Sequence, residues 1–368
     1  MTPAVGHMKI LFVNTHYYLP QSFGGMAMTA HQLCRGMQQK GHQVAMLAGF
    51  RHGGWFAAKS ALEMKIRAVI GGHKLAYDTT LGYPVWRSWD PVREISYVAA
   101  QEKPDLVVVM GGKVVAATLA ARRSGLPVLA QIHDVEFHFH DGDFRDIGNV
   151  PCVANSRFTA ETYRRAFGIP EPAVIYPFIP AELYKTPTSR ENITFINPYL
   201  YKGCSLGLEI VRLCPDIPFR FVGSMPERDE SGTLLAAKTA TLPNLTCLPP
   251  QPDLRAVYAS CKILLVPSQW EETYGRVVTE AQISGIPVVA SSRGGLPESV
   301  GPGGILLKAD DPAELWGKTL RDLWYDDARY VELSAAAVAY AGRPEMDPIH
   351  QLDAHEKAML AALRVERP

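Results

Sequence analysis

Two glutamates with seven residues between them, Glu272 and Glu280, lie in the segment PSQWEETYGRVVTEAQISGIPVVAS. Gly275 between them allows a tight turn, and the residues after it have a helical pattern. Amides at the start of a helix lack partners within the helix, so those of Val277 and Val278 could bind a diphosphate. Glu280 could accept hydrogen bonds from the hydroxyls of a ribose, and Glu272 from those of a sugar. The alternative is that both glutamates are solvated, one in a loop and one on an exposed helix face.

The surrounding residues predict the element that would position this pair. An apolar run at 263–266 predicts a strand, a helix follows the glycine turn, and residues 285–287 lead directly into a second strand at 288–290. Ligands of such βαβ units bind beyond the carboxyl ends of the strands. Glu272 falls at that edge.

Other candidate positions follow predicted strands in the same way. Gly24 and Gly25 lie between the first predicted strand and a helix, where a missing side chain lets the backbone approach a phosphate, although a glycine pair is more often a plain turn. Lys202 follows a later strand and could neutralise the charge of a departing diphosphate. His133 ends another strand, which places it at the carboxyl edge of the first predicted sheet.

These motifs resemble those of a known family. The segment from Glu272 to Glu280 is similar to the E-x7-E signature of the retaining glycosyltransferases of the GT-B fold, specifically glycosyltransferase family 4. Lys202 and Gly203 resemble the family's R-x4-K-G pattern, with Asn197 where the arginine is usual. One of two usual phosphate cations is therefore missing from the pattern.

The resemblance implies an α/β protein with two Rossmann-like, doubly wound parallel-sheet domains that face each other across a cleft. It implies transfer of a hexose-type sugar from a nucleoside diphosphate sugar to an acceptor hydroxyl, with retention and without a metal or other cofactor. The acceptor could be a glycan, a lipid-linked saccharide or a small metabolite.

The resemblance also assigns roles to residues. The expected catalytic residues are His133, Glu272 and Lys202. The expected nucleotide-sugar contacts are Gly24, Gly25, Asn197, Lys202, Gly223, Gln251, Glu272, Tyr274, Gly275, Arg276, Val277, Val278 and Glu280. Arg276 is a candidate to replace the missing phosphate cation, and Gln251 is expected to begin a helix beside the base.

Four residues of the first half are candidate acceptor contacts: His16, Tyr17, His138 and His140. The last two, with Asp141 nearby, could suggest a metal site. We expect none, because the H-x-H spacing places both histidines on one face only in a strand.

The chain divides into four expected parts. An N-terminal acceptor-binding domain is expected at 8–177, a proline-rich linker at 178–190, and a nucleotide-sugar-binding domain at 191–346. A C-terminal helix at 347–368 is expected to cross back to the first domain, as is common in the GT-B fold.

Composition limits the class of protein. The 368 residues, 47% of them hydrophobic, suit two domains with separate cores, and no stretch reaches membrane-spanning length. The six cysteines form no C-x-x-C pair, which argues against disulfides or a zinc site and favours the cytoplasm. We expect no nucleic-acid partner, and the sequence does not predict the oligomeric state.

The segment 51–89 departs from the alternation of strands and helices. It mixes apolar residues such as Leu62 and Ile66 with basic ones such as Lys59 and Lys65. Residues 1–180 as a whole carry 18 lysines and arginines against 13 aspartates and glutamates. Peripheral contact with the inner face of a membrane, or with an acceptor, is one interpretation; a helix packed on its own domain is the other.

Two other functions remain compatible with the pattern. A sugar-nucleotide epimerase of the same fold would need acid and base residues around the sugar ring. A non-catalytic sugar-nucleotide-binding protein would tolerate the loss of Glu272 or Lys202, and Asn197 is the feature that favours it.

Overall fold

The computed structural model describes residues 7–51, 53–71, 73–223, 237, 241–251 and 253–365. It separates into two compact units, Met1–Phe178 with Pro348–Pro368, and Ile179–Asp347. Each is an α/β unit built on one sheet. The sheet of the first unit is mostly parallel, and the recorded strand pairs of the second unit are all parallel.

The sheet of the first unit is buried on both faces. Alternate residues of its first strand enter different cores, with Ile10 and Phe12 on one face and Leu11 and Val13 on the other. This two-sided burial explains the continuous apolar runs of the sequence. Its described strands are β1 (Lys9–Tyr17), β2 (Gln43–Gly49), β3 (Leu75–Asp78), β4 (Val85–Ser88), β5 (Leu106–Met110), β6 (Val128–Ile132), β7 (Cys152–Ala154) and β8 (Ala173–Val174).

The spatial order of these strands is β3-β4-β2-β1-β5-β6-β7-β8. The pair β3–β4 is antiparallel, whereas β1 pairs in parallel with both β2 and β5. The chain therefore winds outward in both directions from β1, as in doubly wound sheets. The helices that cover this sheet before the second unit are α1 (Gly25–Gln39), α2 (Gly54–Gly71), α3 (Pro91–Glu102), α4 (Val114–Arg123) and α5 (Arg157–Phe167).

The second unit repeats the same construction principle. Its described strands are β9 (Asn192–Ile196), β10 (Phe219–Val222), β11 (Leu245–Leu248), β12 (Cys261–Val266), β13 (Val288–Ser291) and β14 (Gly304–Leu307). They lie in the order β11-β10-β9-β12-β13-β14, with each recorded pair parallel. Its helices are α6 (Cys204–Leu213), α7 (Arg255–Tyr258), α8 (Arg276–Gln282), α9 (Leu296–Val300), α10 (Ala313–Tyr325) and α11 (Asp327–Ala341).

The C-terminal helix α12 (Pro348–Val365) packs on the first unit. Leu352 and Met359 belong to the same core as Ile10. Glu356 forms an ion pair with Lys40 at 2.7 Å and accepts a hydrogen bond from His42 Nε2 at 2.9 Å. Apolar and charged contacts together hold the helix in place.

Three properties of the described chain bear on its class. None of the helices in the described ranges is both long and apolar enough to cross a membrane. All six cysteines are free thiols, and burial raises the pKa of Cys152 and Cys261 to about 12. The segment 51–89 contains α2, β3 and β4.

Candidate active site

An ion pair between Lys202 and Glu272 forms the centre of the candidate site in the second unit. Lys202 Nζ lies 2.7 Å from Glu272 Oε1, and the Ser268 hydroxyl donates to the same oxygen at 3.2 Å. Lys202 follows β9 and Glu272 follows β12, which are neighbouring parallel strands. The carboxyl ends of such strands meet at one edge, so the fold brings these two predicted residues together.

Glycine residues hold the backbone on both sides of this pair. Gly203 has φ of 87°, and a Cβ there would collide with the carbonyl oxygen of Pro267. No other residue adopts this backbone so close to a neighbouring strand end without strain. The amide of Gly295 donates to the carbonyl of Glu272 at 2.6 Å, which fixes the loop that carries the carboxylate.

Glu280 is not on an exposed helix face, and that alternative is wrong. Its side chain is buried, Oε1 accepts from Arg276 at 3.2 Å, and Oε2 accepts from the Tyr258 hydroxyl at 3.1 Å. Burial and the Glu280 charge raise the pKa of Tyr258 well above its ordinary value, so this hydroxyl remains a donor. Contact between Glu280 and a ribose stays a prediction.

Arg276, the candidate to replace the missing phosphate cation, is paired within its own unit, and its contact with a diphosphate stays a prediction. It is buried, pairs with Glu280, and donates from Nη2 to the Tyr184 hydroxyl at 3.0 Å. A guanidinium inside the unit needs a carboxylate to offset its lost hydration, and Glu280 supplies it.

One expectation for the turn between the glutamates is also wrong. The Val278 amide is not unpaired, because it donates to the carbonyl of Gly275 at 2.9 Å in a tight first turn of α8. The Tyr274 hydroxyl is buried 2.9 Å from Thr279 Oγ1, and contact between Tyr274 and a nucleotide sugar stays a prediction. Gly275 has the expected turn geometry, with φ of 83°. The role of the Val277 amide stays a prediction.

Asn197 and Gly223 adjoin each other at the ends of β9 and β10. The backbone N–H of Asn197 donates to the carbonyl of Val222 at 2.7 Å, and a Cβ on Gly223 would lie 2.8 Å from Asn197 Oδ1. The loop expected to flank the base continues after Gly223 outside the described residues. Gln251 does not begin a helix, contrary to the prediction. It lies in a loop before α7, and its side-chain Nε2 donates to the carbonyl of Pro249 at 2.9 Å.

In the first unit, the predicted glycine loop is shorter than expected. Gly24 caps α1, whereas Gly25 is already its first residue and not part of the loop. Gly24 has φ of −64°, and a Cβ there would meet Ser22 Oγ at 3.6 Å, an ordinary contact distance. The fold therefore does not itself require a glycine at position 24. His16 and Tyr17, at the end of β1, are exposed.

His133 lies at the end of β6, as predicted, and lines a pocket within the first unit. Gln131 and His355 line the same pocket, and the Gln131 amide nitrogen lies 3.0 Å from His355 Nδ1. Burial, together with the charge of His133, lowers the pKa of His355 to about 3. Sequence reasoning missed His355, because 224 residues separate it from Gln131 and no motif marks it.

His140 is not an acceptor contact, contrary to the prediction. It is fully buried, with Nε2 2.7 Å from the Tyr163 hydroxyl and 3.2 Å from Asp134 Oδ1. Residues Phe137–Phe139 form a 3-10 turn and not a strand, so His138 is exposed while His140 points inward. Within the described ranges, no group of three histidine, cysteine or acidic residues is placed to hold a metal.

Two family models match the chain. Residues 23–183 match the model described as Glycosyltransferase Family 4, and residues 193–324 the model described as Glycosyl transferases group 1. Over 105 residues the chain is 41% identical to the D-inositol 3-phosphate glycosyltransferase of Corynebacterium kroppenstedtii. The aligned segment covers 27% of this chain and 23% of that protein. A protein of the same name from Corynebacterium urealyticum is 28% identical over 230 residues, 58% of this chain and 51% of that one. The matches thus span between about a quarter and a half of these curated relatives.

The fold agrees with solved structures. The structure of Anabaena Alr3699/HepE in complex with UDP and glucose superimposes with a TM-score of 0.75 at 20% identity, covering 96% of this chain and 100% of that chain. This similarity shows the two parallel-sheet domains of the GT-B fold. By its two matched models and its fold, the chain belongs to the family 4 glycosyltransferases.

Proposed function

We propose that this glycosyltransferase moves a hexose from a UDP-sugar to an acceptor hydroxyl, with retention and without a metal. The Lys202–Glu272 ion pair carries the proposal, because it joins a cation suited to a diphosphate to a carboxylate suited to sugar hydroxyls. The UDP and glucose bound by the Anabaena protein of the same fold support the choice of donor.

The pair suggests how the site responds to its donor. In the structure the Lys202 ammonium and the Glu272 carboxylate satisfy each other, with side chains 28% and 14% exposed. A donor diphosphate would compete for Lys202 and release Glu272 to accept hydrogen bonds from the sugar. Lys202 would then pair with the charged diphosphate, and Glu272 would accept hydrogen bonds from the neutral sugar hydroxyls.

The proposed reaction takes place on one face of the sugar. The acceptor oxygen forms a bond to the anomeric carbon as the bond to the diphosphate oxygen breaks, and the acceptor proton leaves with the diphosphate. Lys202 stabilises the charge that develops on the leaving group. Removing one such preorganised charge costs about 100- to 1,000-fold in turnover.

A donor panel tests the proposal. UDP-glucose, UDP-galactose, UDP-N-acetylglucosamine and GDP-mannose are each mixed with the protein in EDTA, and binding and released nucleotide are measured. We expect binding and slow hydrolysis of a UDP-sugar without metal, and an anomeric configuration by NMR that matches the donor. Binding of GDP-mannose alone, or activity that EDTA abolishes, would contradict the proposal.

Glu272→Gln tests the role of the carboxylate within that panel. We expect turnover to fall about 100-fold while UDP affinity changes little, because the amide still accepts one hydrogen bond but carries no charge. Glu271→Gln is the matched control, since Glu271 pairs with Arg293 at 3.1 Å and its side chain is 46% exposed. An equal loss of turnover in both variants would mean that the loss is not specific to Glu272, which would contradict its proposed role.

A further inference from the structure

The helix α2 is apolar on two opposite sides, and its unit covers one of them. Ala57 and Met64 are buried in a small core with Phe50 and Ala76. The side of a surface helix that faces away from the core is normally polar. The apolar outward side of α2 therefore marks a candidate interaction surface.

The outward side is a continuous stripe, here called the α2 stripe and formed by Ala58, Leu62, Ile66 and Val69. Leu62, Ile66 and Val69 are 61%, 51% and 88% exposed. At about 100° of rotation per residue, the four side chains fall within an arc of about 80°. Single exposed apolar residues are ordinary on a protein surface, but a stripe of this kind is not.

Positive charge borders the stripe. Lys59 and Lys65 are exposed, and in the described part of the chain neither pairs with a carboxylate. The other charged residues of the helix, Glu63 and Arg67, pair with each other at 3.0 Å, and Arg67 also lies over the Trp86 ring. The uncompensated charge beside the stripe is thus positive.

We propose that the α2 stripe docks on the surface of an anionic lipid bilayer, with α2 lying parallel to that surface. The apolar side chains would enter the region between headgroups, and Lys59 and Lys65 would contact lipid anions. Residues 1–180 carry more basic than acidic residues, and this positive net charge would also attract the first unit to an anionic membrane. A second copy is a poorer occupant, because a symmetric contact would bring the lysines of both copies together.

Vesicle sedimentation of the full chain tests this docking. Vesicles of phosphatidylcholine alone are compared with vesicles that also contain phosphatidylglycerol. We expect binding to the anionic vesicles that weakens with salt. Lys59→Gln with Lys65→Gln should weaken it roughly 20- to 30-fold, since each basic residue near an anionic surface contributes about fivefold. Leu62→Ser with Ile66→Ser should abolish it.

Two variants elsewhere on the first unit serve as controls. Ile349→Ser removes another exposed apolar side chain, 72% exposed on α12, and Lys103→Gln removes another exposed lysine. Both should bind vesicles as the wild type does, and circular dichroism checks that every variant is folded. Absence of wild-type binding to anionic vesicles would overturn the proposal, and so would full binding by Leu62→Ser/Ile66→Ser.

The remaining outcome assigns the stripe to another occupant. Should sedimentation velocity show a wild-type dimer that Leu62→Ser/Ile66→Ser dissociates, the stripe would be an interface between copies and the membrane proposal would be wrong. Vesicle binding does not require catalysis. Failure of this proposal is therefore separate from failure of the proposed sugar transfer, which the donor panel measures in solution.

Discussion

Glu280 and Arg276 show how a residue that resembles a ligand contact can also maintain the fold. The two side chains are 5% and 8% exposed and lie 3.2 Å apart, one turn from each other on α8. The Tyr184 and Tyr258 hydroxyls complete their hydrogen bonds. A change at either position therefore alters stability as well as any contact with a nucleotide.

Arg276→Met should destabilise the protein by about 3 kcal/mol, because it leaves the Glu280 carboxylate buried without its cation. Urea denaturation measures the change in the free energy of unfolding. The double variant Arg276→Met/Glu280→Gln should recover most of that loss, since no unpaired charge remains. A single variant as stable as the wild type would contradict the assignment of a buried, charged pair.

At the scale of elements, the turns between strand and helix place the candidate residues. The turn from β9 to α6 carries Lys202 and depends on Gly203, whereas the turn from β1 to α1 does not depend on Gly24 for its shape. The two glycines thus differ in their structural roles. The backbone conformation at position 203 requires a glycine, whereas the conformation at position 24 is open to other residues.

Gly203→Ala should destabilise the second unit by more than about 1 kcal/mol, because the residue has a left-handed backbone and its Cβ would collide with Pro267. Gly24→Ala should change stability by less than about 0.5 kcal/mol, since φ is −64° and the nearest contact is ordinary. Thermal unfolding compares the two. The turn argument fails if Gly203→Ala is the more stable of them.

Much at this scale could be predicted from the sequence. The apolar runs at 263–266 and 288–290 predict two strands, which the structure extends to Cys261–Val266 and Val288–Ser291, and the spacing of the motif places Glu272 after the first of them. The direction of side chains in short turns could not be predicted, because it depends on tertiary contacts. His140 therefore turned out to be buried, and Arg276 proved to be committed to Glu280.

At the scale of the whole molecule, the C-terminal helix returns to the first unit and brings His355 beside Gln131. No local pattern predicts such a contact, because it joins residues far apart in the chain. The helix also places an ionisable ring in a buried position near His133. The stability of the protein should depend on pH as a result.

His355 should make the protein less stable in mild acid. Its pKa is about 3 in the folded protein and about 6.5 when unfolded, so between these values the unfolded chain binds more protons. The contribution is fully present above about pH 6.5 and is lost progressively toward pH 3. By pH 5 the loss is about 2 kcal/mol.

Urea denaturation at pH 7 and pH 5 measures this loss, and His355→Gln isolates it. The variant's stability should fall less between the two values than the wild type's, by about 2 kcal/mol, whatever its stability at pH 7. His350→Gln is the matched control, since His350 lies on the same helix but is exposed. The His350→Gln variant should lose as much stability between pH 7 and pH 5 as the wild type does. If His355→Gln also loses that much, then His355 has the same pKa in the folded and unfolded chains, and α12 does not bury a neutral ring against the first unit.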